Sequence, residues 1–335
     1  MTTSLADRFE FLQRFAESRP QSAYARTMCI NETRARRPLR MDGMVHPLAP
    51  AFDWASLHSL HKVVFAGDST SLHLANALQA MCAAAGCHMT FVQSVLRMMP
   101  TRYHENATEF ELILSQFFRE KLADAGADTP YANQLVIANF GAWYNPEPIS
   151  PVPPRARPSV MNGWSAVKNH ESYSTFYALH IATNVSYRRD LQVFASAFTK
   201  HRHHLPPMAW RPTLPQHNPP NYIELWRRNL HPNCVPTSQT ERRSASYTWR
   251  NLIANEELGA TGMRILGGLA GPTANAWDSH LKILEEGGGG WQDCTHFCAA
   301  SGISEWWAIY VLNWLVAWKR RELDAFEENL QWAEE

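Results

Sequence analysis

Long apolar runs are missing from this chain. No stretch approaches the roughly 18 consecutive apolar residues of a membrane-spanning helix, so no helical span organises it. Charge of one sign is missing too. There are 31 Lys and Arg against 31 Asp and Glu, a formal net charge of zero. That excludes a global basic bias towards nucleic acid or an anionic membrane surface. Cysteines are few. Six permit at most three disulfides, and their pairing cannot be read from sequence. Residues Met1 to Arg14 are charged and amphipathic, without the apolar core of a secretory leader. The expectation is a chain not secreted by that route, or one lacking its targeting segment. No internal repeat is visible.

What is present is enough for one large domain or two small ones: 335 residues, 45% of them hydrophobic. Thirteen tryptophans are many for this length, and suit a carbohydrate-handling surface as well as core packing. Asn-x-Ser/Thr sequons stand at Asn31, Asn106 and Asn184 and favour a secretory setting only weakly.

The chain is organised around residues 62–78. Val63 to Ala66 is a short apolar, β-branched run that predicts a buried strand. Gly67-Asp68-Ser69 breaks it, and Leu72, Ala75, Leu78, Met81 and Cys82 then follow helical spacing. Before this unit, residues 1–20 predict a helix and residues 21–60 a basic, proline-broken arm. After it come a strand from Cys87 to Val95, a helix from Glu105 to Ala123 and a strand from Gln134 to Ala138. Residues 146–158 are a proline-rich loop, and 163–204 read as largely helical. A strand from Met208 to Arg211 leads into a long surface loop over 212–240, with a helical turn near Ile223 to Arg228. A helix from Tyr247 to Leu258, a strand from Met263 to Leu269, a glycine hinge from Gly287 to Gly290 and a closing helix from Ser304 to Gln331 complete the chain. Strands alternating with helices predict an α/β fold, a mostly parallel sheet covered on both faces. The expected organisation is an arm over 1–60 and one domain over 61–335.

Ser69 falls where a strand ends and a helix begins. A hydroxyl there lies at the positive end of the helix, where developing negative charge is stabilised, and is a nucleophile candidate. The plainer alternative is that Ser69 caps the helix. A second cluster is Asp293-Cys294-Thr295-His296-Phe297-Cys298. An acid three residues before a histidine can orient the ring and leave its other nitrogen to take a proton from a serine. The alternatives are a metal site from Cys294, His296 and Cys298, or a disulfide-stapled loop with a passive histidine. The run His201-Arg202-His203-His204 reads as a solvated helix end rather than a metal site.

Together these motifs resemble the SGNH (GDSL) hydrolase superfamily, and within it the trichome birefringence-like, or PC-esterase, branch. Val63-Val64-Phe65-Ala66-Gly67-Asp68-Ser69 is similar to the family's first block. Asn139-Phe140-Gly141-Ala142-Trp143-Tyr144 resembles its Asn-Thr-Gly-His-Trp-Trp block. Trp210-Arg211-Pro212-Thr213-Leu214-Pro215-Gln216-His217 resembles its Trp-Arg-x-Thr-x-Pro-Gln-His phrase. Asp278-Ser279-His280 is similar to an Asp-Gly-His segment, and the 293–298 cluster to Asp-Cys-x-His-Trp-Cys, with Phe297 for Trp. The blocks run in the family's order over residues 62–298. The departures are the absence of the family's N-terminal anchor, of Arg-Asn-Gln after Gly-Asp-Ser, and of the proline-glycine run where Ala299-Ala300-Ser301-Gly302 stands.

The resemblance implies a three-layer α/β/α sandwich. It implies Ser69 as nucleophile, His296 as base and Asp293 as its orienter, with an oxyanion held by the Ser69 N–H and the Asn139 side chain. The implied activity is O-acyl transfer, in practice O-acetyl transfer, to polysaccharide or glycan hydroxyls. An acyl donor is the co-substrate, no cofactor is needed, and the implied setting is the Golgi or another secretory compartment. An esterase shares the first half-reaction, and a non-catalytic glycan-binding relative is the competing class. A metal-dependent hydrolase would need His201, His203 and His204 to converge with carboxylates. Arg211 and His217 are candidates for binding a sugar hydroxyl, with structural salt-bridging as the alternative. Trp143 and Tyr144 are candidates for lining a sugar site, with core packing as theirs.

Overall fold

The computed structural model of the protein describes residues 27–29, 54–84, 87–95, 133–143, 184–219, 233–236, 247–269, 273–274, 276, 280–284, 290–297 and 303–324. Eight strands occur among them: β1 (Thr27–Cys29), β2 (Lys62–Gly67), β3 (Thr90–Val95), β4 (Gln134–Ala138), β5 (Met208–Trp210), β6 (Arg264–Ile265), β7 (His280–Leu284) and β8 (Gly290–Phe297). Four α-helices accompany them: α1 (Ser69–Ala84), α2 (Asn184–His201), α3 (Tyr247–Gly259) and α4 (Ile303–Arg320).

The main sheet has the order β3-β2-β4-β5-β6, and every pair in it is parallel. Parallel strands are joined by crossovers that cover both faces, so their side chains are apolar on both sides. The alternation is clean. Val63, Phe65, Leu135 and Ile137 face one layer, built from α1 and α4. Val64, Ala66, Val136, Ala138 and Trp210 face the other, built from α2 and α3. The expected α/β architecture is what the protein adopts. No helix among the described residues is long and apolar enough to cross a membrane.

The helices follow from local chemistry. α1 is rich in Ala and Leu, strong helix formers, and the Cys82–Cys87 disulfide holds its far end. α4 buries Trp307, Tyr310, Val311, Trp314 and Leu315 against the first layer. Arg321 ends it in the left-handed region, φ 63°. Glu322 N–H then donates to Ala317 O at 2.8 Å and Arg321 N–H to Trp318 O at 3.2 Å, a Schellman closure that satisfies the last carbonyls.

A second, antiparallel sheet has the order β1-β7-β8. It corrects several expectations. Gly290 opens β8 rather than closing a hinge, and Asp293 to Phe297 lie on a strand. Thr27–Cys29, within the expected basic, proline-broken arm, forms a strand that pairs with Ile283 to Leu281. The strand expected over Met263 to Leu269 shortens to two residues followed by a 3-10 turn at Gly267–Leu269. The closing helix ends at Arg320, residues 323–324 are helical again, and the expected remainder over 325–331 lies outside the described residues. Residues 211–219 are irregular as expected, but mostly buried rather than on the surface. The helices expected over 1–20 and 105–123, the turn near 223–228, the loop over 146–158 and the helical stretch 163–183 lie outside the described residues.

Gly67 shows how close the sheet edge is packed. A Cβ there would lie 2.5 Å from Ser71 Oγ and 2.6 Å from the Asn139 carbonyl oxygen, which is fixed main chain. Gly67→Ala should therefore destabilise the fold by about 1–3 kcal/mol in urea denaturation. Gly259→Ala, where a Cβ meets nothing within 4 Å, should change stability by less than about 1 kcal/mol in the same measurement.

Candidate active site

β2, β4 and β5 end side by side, and the residues just past them meet on the carboxyl edge of the sheet. Asp68 follows β2, Asn139 follows β4 and Arg211 follows β5. Asp68 is the N-cap of α1. Its Oδ1 accepts from the Thr70 N–H at 3.0 Å and from the Thr70 hydroxyl, and its carbonyl accepts from the Ser71 N–H at 3.0 Å. The capping bonds are thus made by Asp68, and Ser69 is the first residue of the helix itself. Its N–H is one of the first four, which have no acceptor within the helix.

Arg211 joins these elements. Its side chain is 1% exposed, and its Nη2 donates to Asp68 Oδ1 at 3.0 Å. The same nitrogen lies 2.9 Å from Thr70 Oγ1, 3.2 Å from Ser71 Oγ and 3.1 Å from Asn139 Oδ1. Burial pulls the guanidinium pKa below its ordinary value, and the charge of Asp68 opposes that pull. Asn139 in turn donates from Nδ2 to the Arg211 carbonyl at 2.7 Å. One of that nitrogen's two N–H bonds is therefore committed to the fold, leaving the other for an oxyanion.

His296 lies near the end of β8, half-buried. Its ring stacks on that of His73, with centroids 5.4 Å apart and planes at 20°. His73 stands one helical turn beyond Ser69 on α1. β8 is fixed from several directions. Cys294 is disulfide-bonded to Cys234, and its carbonyl accepts from the His217 N–H at 2.9 Å. Gln292 Oε1 accepts from the Cys234 N–H at 2.6 Å. Gln216 Nε2 donates to the Ala142 carbonyl at 3.2 Å and lies 3.4 Å from Thr295 Oγ1.

A pair of buried histidines stands behind His296, and one of them holds its main chain. His280 Nδ1 is 2.9 Å from the His296 carbonyl, and His217 Nε2 is 3.0 Å from the Ala274 carbonyl. Their remaining nitrogens, His217 Nδ1 and His280 Nε2, are 2.7 Å apart. Phe297 packs against the pair, with its ring stacked 4.1 Å from that of His280.

The structure brings together Ser69, Asn139 and Arg211 at the sheet edge, and sets His296 against the same helix. Asp293 stands on β8 opposite Leu281, three residues before His296. For Ser69, Trp143 and Asp293 the description stops at the backbone; Tyr144 and Cys298 lie outside the described residues. Arg211 and His217 are buried and bonded to protein groups, so neither offers itself to a sugar hydroxyl here. The metal site that used Cys294 is corrected, because that sulfur is in a disulfide rather than a thiolate. Sequence reasoning missed three members of this assembly: Asp68 as cap, His73 beneath His296, and His280 as anchor. A signal existed for the first two. Aspartate before an apolar helical run is a cap signature, and positions four apart share a helix face.

These features define an α/β protein with its polar machinery on the carboxyl edge of a parallel sheet, where such sheets bind ligands. No protein-family model matches the chain, and no curated protein matches it.

Removing Arg211 would strand the Asp68 carboxylate in the interior. Arg211→Met should cost about 3–5 kcal/mol in urea denaturation, and the double variant with Asp68→Asn should recover part of that loss.

Proposed function

We propose that this protein is a serine-dependent O-acyltransferase, in the simplest case an O-acetyltransferase, acting on hydroxyls of a polysaccharide or glycan. Ser69 Oγ attacks the acyl donor's carbonyl carbon while His296 takes its proton, and the donor's leaving group departs carrying that proton. The resulting acyl-serine is attacked by an acceptor hydroxyl, whose proton passes to His296, and Ser69 is released. Asp293 orients the imidazole. The Ser69 N–H and the uncommitted N–H of Asn139 stabilise the oxyanion. Trp143 and Tyr144 are the candidates for the sugar side. No cofactor enters these steps; the acyl donor is a co-substrate.

The observation that carries this reading is the stacking of His296 on His73, one turn from Ser69 at the start of the same helix. It supports a serine and a histidine meeting at a helix N-terminus, where an oxyanion is favoured. The disulfides Cys82–Cys87 and Cys234–Cys294 support an oxidising compartment, consistent with the Golgi or another secretory setting. If water replaces the glycan hydroxyl, the same first half-reaction makes an esterase, and exclusion of water from the acyl-serine decides between them.

Brief exposure of the protein to 4-nitrophenyl acetate, followed by intact-protein mass measurement, tests the covalent step. One acetyl adduct is expected on the wild type and none on folded Ser69→Ala or His296→Ala. Asp293→Asn should slow acetylation by about 10⁴-fold through a misoriented base. Equal labelling of wild type and Ser69→Ala would overturn the assignment.

A further inference from the structure

The main chain of His296 is held from behind. The His280 ring meets its carbonyl, and Cys294, two residues earlier, is tied to Cys234. Those contacts place the Cα of His296 but not its ring. Two torsions lie between the two, and the second, which turns the ring plane, is broad for histidine. A base that takes a proton from one serine needs that plane set, because small errors of orientation are costly in rate.

The His73 ring lies against the plane. The two rings are 5.4 Å apart between centroids and within 20° of parallel. His73 is itself firmly placed. It is 5% exposed, and its neighbours Leu74, Ala75 and Ala77 belong to the first apolar layer. α1 is capped by Asp68, which pairs with Arg211, and the Cys82–Cys87 disulfide holds its far end. His296 is only half-buried, near the end of its strand. Of the two stacked rings, that of His73 is the fixed one. Ser69 and His73 are four residues apart, so they share a face of α1 at a rise of about 6 Å. The helix that begins at the proposed nucleophile thus also carries the surface on which the proposed base lies.

We propose that His73 is a positioning residue for His296: its ring sets the plane of the His296 imidazole by stacking and keeps the base at the Ser69 end of α1. His73 acts through its face and takes no proton in the reaction. Asp293 works at the edge of the same imidazole, where it selects the tautomer. A ring is therefore required at position 73, and a ring nitrogen is not. The proposal rests on the acyltransfer reading only for the use made of His296.

Two variants separate ring from nitrogen. His73→Phe keeps a ring that can stack and has no nitrogen. His73→Leu has neither, and both side chains suit a buried position. The rate at which 4-nitrophenyl acetate acetylates the protein is followed on folded samples, checked by their Tm. His73→Leu should lower the maximal rate about threefold to tenfold with the half-saturating donor concentration unchanged, and His73→Phe should restore it. A second readout needs no turnover: the ring protons of His296 in 13C-histidine-labelled protein, assigned by their loss in His296→Ala. A ring stacked face to face shields them. They should move downfield in His73→Leu and stay upfield in His73→Phe. A His73→Leu protein as fast as the wild type, equal losses in both variants, a loss in His73→Phe alone, or ring protons that do not move in His73→Leu would each overturn the proposal. A wild type that takes no acetyl group would overturn the acyltransfer reading instead, and the ring-proton shifts would still decide whether His73 sets the plane of His296.

Discussion

The ion pair between Arg211 and Asp68 is the contact on which the sheet edge depends. A charge on each side has been taken out of water, and that cost is offset only because hydrogen bonds surround both groups. Asp68 cannot cap α1 and hold the arginine unless β2 and β5 end at the right depth. Asn139, between them just past the end of β4, bridges the arginine's side chain and its carbonyl. Three strands and a helix are thereby locked to one register around a point adjacent to Ser69. Positioning of that kind is what a nucleophile needs and what apolar packing alone does not give.

The opposite wall is held in a different manner. β8 belongs to the antiparallel sheet, away from the main ladder, and its attachment comes from side chains and one main-chain hydrogen bond, from the His217 N–H to the Cys294 carbonyl. A disulfide, a glutamine and two histidines fix Cys294 and His296 to segments that follow β5 and precede β7. The two halves of the candidate site thus rest on different physics: buried electrostatics on the serine side, cross-links and imidazole hydrogen bonds on the histidine side. His217 belongs to the second, and its burial suits a strut better than a sugar contact.

Much of the main sheet was legible in the sequence, because buried parallel strands announce themselves as apolar runs. Val63 to Ala66 and Leu135 to Ala138 needed no tertiary information. The antiparallel sheet was not legible. β7 and β8 mix polar residues and glycine, and β1 finds its partner some 250 positions along the chain, a pairing no local pattern encodes. The serine and histidine motifs were visible, but the groups that set them in place were less so. Arg211 was noticed, with sugar binding and salt-bridging left as alternatives, since a charged side chain is expected at the surface and only the fold shows it buried.

The Cys234–Cys294 bond also bears on how the chain reaches its native state. It closes a loop of 60 residues, containing α3, β6 and β7. Closing a loop of that length removes conformational freedom from the unfolded chain worth about 4 kcal/mol in the chain-entropy account. The half-cystine on β8 is synthesised after every strand of the main sheet. The parallel sheet can therefore assemble first, with its slow non-local pairings, and the histidine wall is fastened to it last. An oxidant is then needed to complete the site, so the time at which the protein matures is set by the redox state of its surroundings and not by folding alone.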